Sequence, residues 1–180
     1  TTGSDGSATL SDIPADVYVV REESVLEPYV LSHTEQTVAL RPGKTSEVRF
    51  QDYQKPGLEI LKKNIATGEP IEGVTYLIEQ IDGSYSTSST TDSAGRIFLD
   101  SIPVGSYRVT EKNVPSHVIL SEIPQEVYLE AGCTRTVTFF NAVKPSLTIL
   151  KRNSITGDPL SNAKFHIYYG SDNTTTGEIN

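Results

Sequence analysis

Cysteine occurs once in the 180 residues, at Cys133, and methionine and tryptophan do not occur at all. A single thiol excludes a disulfide within one chain and any zinc site built from several thiolates. Cys133 sits in EAGCT, a turn-like stretch with only Arg135 as a basic neighbour, so it reads as a tolerated small residue and not as an activated thiol. No run approaches the roughly 18 apolar residues of a membrane-crossing helix. A charged segment followed by an apolar one is also missing at the start, where TTGSDGSATL is polar and reads as the interior of a longer protein. Basic side chains are the minority, 15 against 23 acidic ones, for a formal charge of -8. That balance repels polyanions, so neither nucleic acid nor membrane insertion is expected. The 36% hydrophobic content supports modest cores and no more.

What the chain does have is an internal repeat. YVVRE at Tyr18–Glu22 recurs as YRVTE at Tyr107–Glu111, an offset of 89 residues. The same offset sets DIPADVY on SIPVGSY, VRFQDYQKP on VTFFNAVKP and LEILKKNIATGEP on LTILKRNSITGDP. The expected organisation is therefore a first partial repeat over 1–54, a complete repeat over 55–143 and a third partial repeat over 144–180, joined through YQKPG and VKPS as a rod. Within the complete copy, LEILKK, VTYLIEQI, RIFLD, SYRVTE, EVYLEAG and TVTFFN read as short strands between turns, and nothing carries a helical stripe. Each unit should be all-β, an antiparallel sandwich.

Strand alternation then raises a question of charge. Leu58, Ile60 and Lys62 share one face; so do Tyr107, Val109 and Glu111, and so do Val137, Phe139 and Asn141. Each set is two apolar residues followed by a polar one. Burying a lone amine or acid costs several kcal/mol, so the three polar groups should meet. On periodicity alone a buried Lys-Glu ion pair with an amide beside it ranks first. The same grouping also supports chemistry, because burial favours the neutral amine and the protonated acid, and a neutral amine is a nucleophile.

An LxIxK first strand, TxDxxG followed by a GxYxVxE strand, and a closing VTFxN together resemble the Cna B-type, prealbumin-like repeat of Gram-positive surface adhesins and pilus backbones. Here these are Leu58–Lys62, Thr90–Gly95, Gly105–Glu111 and Val137–Asn141. The resemblance covers nearly the whole chain. It implies tandem Ig-like sandwiches of the prealbumin or inverse-transthyretin type, one complete and two partial, in an extracellular, wall-attached protein. It also implies a spontaneous isopeptide bond in which Lys62 attacks the side-chain carbonyl of Asn141 while Glu111 polarises that carbonyl and shuttles protons. Glu22 and Asp52 hold the matching positions in the first copy, where the matching lysine would precede Thr1; Lys151 holds the lysine position in the third. The early strands of the third copy would complement the first, bringing Lys151 towards Asp52 and Glu22. The resemblance departs at Asn64 and Asn153, where the family often has an acid, with little effect on the chemistry expected. It departs again at NVPSH, where Pro115 is kept but the glycine and tyrosine of the family's shielding loop are lost, so solvent exclusion is the property at issue.

The implied role is a stalk, not an enzyme: one single-turnover acyl transfer, no cofactor, neighbouring repeats as partners, and any host matrix protein or glycan engaged through other domains. The alternative is a carbohydrate- or matrix-binding sandwich with the ion pair and no cross-link. Tyr18 and Tyr107 have inward parity, which leaves Tyr168 and Tyr169 as exposed sugar platforms. A purine-pathway hydrolase on this fold needs clustered His and Arg, and His33, His117 and His166 lie in unrelated contexts. GSDGS and TDSAG read as turns and not calcium loops, and Asn173 in NTT is a sequon only in a eukaryotic secretory path.

Overall fold

The computed structural model describes residues 1–168 and 175–179. These divide into two compact units, Thr1–Val143 and Lys144–Asn180. The first begins with β1 (Val17–Arg21), β2 (Tyr29–Val30), β3 (Glu35–Ala39) and β4 (Tyr53–Gln54), in which β1 pairs with β3 and β2 with β4. Seven strands follow: β5 (Gly57–Asn64), β6 (Thr75–Gln80), β7 (Ser86–Thr90), β8 (Arg96–Leu99), β9 (Gly105–Asn113), β10 (Gln125–Leu129) and β11 (Thr134–Asn141). In the second unit β12 (Phe165–Tyr168) pairs with β13 (Thr175–Ile179). No helix occurs among the described residues.

Strands β5 to β11 form two sheets, one ordered β10-β9-β6-β7 and the other β11-β5-β8. Period-two burial follows directly from the alternation in sequence. Leu58 and Ile60 on β5, Tyr76 and Ile78 on β6, Ile97 on β8, Tyr107 and Val109 on β9, Leu129 on β10, and Val137 and Phe139 on β11 make one core between the sheets. On the outer face of β5, Glu59 accepts from Arg96 and Thr136, so the exposed side is a polar ladder across three strands.

The expectation of an all-antiparallel sandwich needs correction, since β11 runs parallel to β5, from Thr134↔Gly57 to Asn141↔Asn64. First and last strands of a copy can pair this way because the whole of the copy serves as the crossover. The polar stretch DGSYSTSSTTDSAG, which lies between two of the expected strands, contains β7, a strand of Ser and Thr whose backbone ladder to β6 supplies what its side chains do not. The repeats of VTFFN and LEILK in the flanking copies are not strands: 45–52 and 147–150 have no regular structure. Each lacks, within its own unit, the ladder partner that β5 and β11 are to each other, and an unpaired backbone forms no strand. Parity survives regardless: Val48, Phe50 and Asp52 are half-buried while Glu47, Arg49 and Gln51 are exposed.

The repeat is visible in detail where local contacts suffice. Tyr107 Oη donates to the Pro103 carbonyl at 2.8 Å, and Tyr18 Oη to the Pro14 carbonyl at 3.0 Å. The turn after β5 is held by Ile71 N–H donating to the Lys62 carbonyl, and its counterpart by Leu160 N–H donating to the Lys151 carbonyl.

Candidate functional site

Lys62, Glu111 and Asn141 meet inside the sandwich. Lys62 and Asn141 project from the neighbouring strands β5 and β11 of one sheet, Glu111 from β9 of the other, and all three are at most 3% exposed. Lys62 Nζ lies 2.6 Å from Glu111 Oε2, and Asn141 Nδ2 lies against Glu111 Oε1 at 2.5 Å. One carboxyl group thus touches the amine with one oxygen and the amide with the other. Asn141 Oδ1 is buried with no hydrogen-bond partner. The rings of Tyr76 and Phe139, 4.8 Å apart, wall the pocket, each about 6 Å from Nζ.

Desolvation pushes the Lys62 amine below its usual value, and only the Glu111 contact opposes that shift. A depressed amine in an apolar box is the electrostatic condition for a neutral nucleophile.

Three contributors escaped the sequence reading. Tyr76 Oη donates to Glu111 Oε2 at 3.2 Å, from the position on β6 directly opposite Glu111 on β9. The inward parity of Val74, Tyr76 and Ile78 was the available signal for it. Ser121 N–H donates to Glu111 Oε1 at 3.1 Å, and Val118, 2% exposed, bridges to Val143. The NVPSH loop therefore covers the site without the glycine and tyrosine of the family pattern, so the solvent exclusion left at issue is present. Asn64 and Asn153 each accept a backbone N–H two residues on, from Ala66 and Ile155, and so shape the turn after the lysine strand.

Gly95 supports the site from behind. Its φ is +66°, Lys62 N–H donates to its carbonyl, and a Cβ there would fall 2.4 Å from the Lys62 carbonyl oxygen. Gly95→Ala should therefore destabilise the sandwich by roughly 1–3 kcal/mol, read from the midpoint of chemical denaturation.

Of the other candidates, Glu22 and Asp52 come together in the first copy. Burial, then the charge and hydrogen bond of Asp52, raise the Glu22 carboxyl above its ordinary value, and Glu22 Oε2 and Asp52 Oδ1 are buried without a partner. Lys151 is exposed in the second unit. His33, His117 and His166 are exposed and share no cluster. Asp5 and Asp92 accept the backbone N–H groups of their own turns, from Ser7 and from Ala94 and Arg96. Tyr107 is buried and Tyr18 half-buried, while Tyr169 and Asn173 lie outside the described residues.

The sequence matches the family described as SpaA, prealbumin-like fold domain, over residues 1–54 and again over 56–143. The chain belongs to this family. Solved structures with similar folds include the Bacillus anthracis TIE protein, at 22% identity and a TM-score of 0.48, covering 79% of this chain and 27% of that one. GBS52, the minor pilin of Streptococcus agalactiae, aligns at 19% identity and a TM-score of 0.47, covering 84% and 70%. BcpA, the major pilin of Bacillus cereus, aligns at 17% and 0.47, covering 64% and 35%. The SpaA-type chain thus spans about a quarter to 70% of the length of these proteins. No curated protein sequence matches it.

Proposed function

We propose that this SpaA-type chain is a structural stalk segment of a Gram-positive surface adhesin or pilin, whose complete repeat, residues 55–143, is stiffened by a self-formed amide between Lys62 Nζ and Asn141 Cγ. The flanking stretches 1–54 and 144–180 are parts of neighbouring repeats. They carry the corresponding acid and acceptor, Glu22 and Asp52, and the corresponding nucleophile, Lys151. The protein works outside the cell, attached to the wall and to any host ligand through other regions.

The observation that carries this reading is a single buried carboxyl group contacting both the amine and the amide it would join. Transfer of the Nζ proton to Glu111 gives a neutral pair suited to a dry pocket. With a proton on Oε1, the amide turned over about its Cβ–Cγ bond accepts it at Oδ1, and the carbonyl becomes electrophilic. Held on the two oxygens of one carboxyl group, the two side chains react as one molecule, with little entropy left to lose in finding each other. No outside substrate is involved, and the protein turns over once.

Intact mass of the 180-residue chain tests the bond. The folded protein should weigh one ammonia less than its sequence, and fragmentation of a protease digest should locate the loss in a branched peptide joining Lys62 to Asn141. A full mass after native folding removes the cross-link and leaves the stalk reading without its covalent tie.

The shift at Lys62 gives a pH test with a definite sign. Its native pKa lies below its unfolded value, so the native state binds fewer protons and the buried amine destabilises the fold at low pH, less so as pH rises towards about 10.4. Asn141→Ala, which cannot link, should therefore be less stable near neutrality than the same variant carrying Lys62→Met and Glu111→Leu together, which leaves neither charge buried alone. The gap, measured by urea denaturation, should narrow with rising pH; a constant gap up to about 10.4 would mean that the native amine titrates as it does unfolded.

A further inference from the structure

Tyr76 has two separable parts. Its ring is fully buried and packs on Phe139. The position 89 residues on is Phe165, which keeps an aromatic ring but no hydroxyl. The ring thus answers the packing requirement of this strand position, and the oxygen is an addition. A phenol buried in an apolar core must find a partner, and here the partner is Oε2 of Glu111, the oxygen that also touches Lys62 Nζ.

We propose that Tyr76 is a positioning residue for the cross-linking reaction: its O–H···Oε2 hydrogen bond holds the acid proton of Glu111 on Oε1, the oxygen facing Asn141. This rests on the isopeptide reading above. A carboxylic acid has one carbonyl-type and one hydroxyl oxygen, and a donor favours the carbonyl type at the oxygen it reaches; the Ser121 N–H at Oε1 pulls one way, and the Tyr76 O–H at Oε2, a stronger donor than an amide N–H, outweighs it. Oε2 is then free to take a proton from the attacking amine while Oε1 has one to give. In the reaction the Nζ lone pair forms the new bond to Asn141 Cγ. Oε2 takes one Nζ proton, Oε1 delivers its own to the amide, and the Cγ–Nδ2 bond breaks. Nδ2 leaves as ammonia with the proton delivered to it, and Glu111 ends with one proton as it began. Without the hydroxyl, the acid also populates the arrangement with its proton on Oε2, where it blocks the amine and leaves Asn141 unassisted. Burial and the neighbouring acid both keep the Tyr76 hydroxyl protonated, so it serves as a donor throughout.

The test is Tyr76→Phe, which keeps the ring that Phe165 has. The full 180-residue chain is prepared unfolded in denaturant and refolded by dilution, and the fraction one ammonia lighter is followed over time across pH. The same substitution in an Asn141→Ala background reports folding by circular dichroism without the bond. The expected result is a folded variant that links on the order of ten- to a hundredfold more slowly. The loss of rate should hold across that pH range with folding of the Asn141→Ala background unchanged, because Lys62 from β5, Asn141 from β11 and the Ser121 N–H still hold Glu111 in place. A variant that folds and links at the wild-type rate across that range overturns the role of the hydroxyl alone. A wild-type chain that refolds and keeps its full mass overturns the isopeptide reading, and this inference with it.

Discussion

Glu111→Ala is expected to return the chain to its full mass and to lower its stability by about 7 to 10 kcal/mol, more than any other single change considered above. Two losses combine. The proposed bond from position 62 to position 141 would close a loop of most of a repeat, and by analogy with a disulfide of that span its absence would restore about 4 to 5 kcal/mol of unfolded-state entropy. The acid also offsets the burial of Lys62, which is 0% exposed; removing one member of a buried pair costs about 3 to 5 kcal/mol because its partner is left uncompensated. Asn141→Ala separates the two, since it abolishes the bond but leaves amine and acid together, so only the entropic part should go. Guanidinium unfolding of both variants against wild type reads the difference. Equal losses in the two would show that Glu111 contributes nothing beyond the bond. Domain stabilities of about 5 to 15 kcal/mol mean that the Glu111 variant is left near the edge of folding, whereas the Asn141 variant is not.

A second large effect has the opposite sign. Replacing the polar groups together, Lys62→Met with Glu111→Leu, Asn141→Leu and Tyr76→Phe, should give a protein of full mass that is more stable than Glu111→Ala by several kcal/mol. It should equal or exceed the unlinked Asn141→Ala by about 1 to 4 kcal/mol. A buried ion pair pays for its desolvation only in part, and apolar side chains of similar volume avoid that cost. The pocket walls are already apolar, with Tyr76 and Phe139 in ring contact and Ile60 adjacent on β5. If the multiple variant is instead the less stable, the polar trio is itself a stabilising network. If the expected order holds, the trio is a cost that only the covalent bond repays. The bond would also matter under load. Tension entering at β5 would leave through β11 by a covalent path, so the sheets between need not be pulled apart.

How the site could be read in advance depended on the kind of information each part required. Strand alternation needs only the local chain, and it put Lys62, Glu111 and Asn141 on inward faces as the third member of each set. Their convergence followed from electrostatics, because unpaired charges are not tolerated in a small core. The turn residues Asn64, Asp92 and Gly95 likewise act through neighbours a few positions away. Tyr76 was different. Its inward parity was legible, but an inward tyrosine is ordinarily just core, and only the β6–β9 register that sets it opposite Glu111 makes its oxygen a partner of the acid.

By itself, then, the amino-acid order determined the repeat, the all-β class and the identity of the three inward polar groups, since each follows from periodicity over short stretches of chain. The tertiary structure decided that β5 and β11 run parallel, that the 114–121 loop closes over Glu111 through the Ser121 N–H, and that one carboxyl group divides its oxygens between amine and amide. These depend on pairing between segments up to some 80 residues apart, which no local pattern encodes. For the same reason 45–52 and 147–150 copy the sequence of strands without being strands: a strand is made by its partner, and a pattern alone cannot supply one.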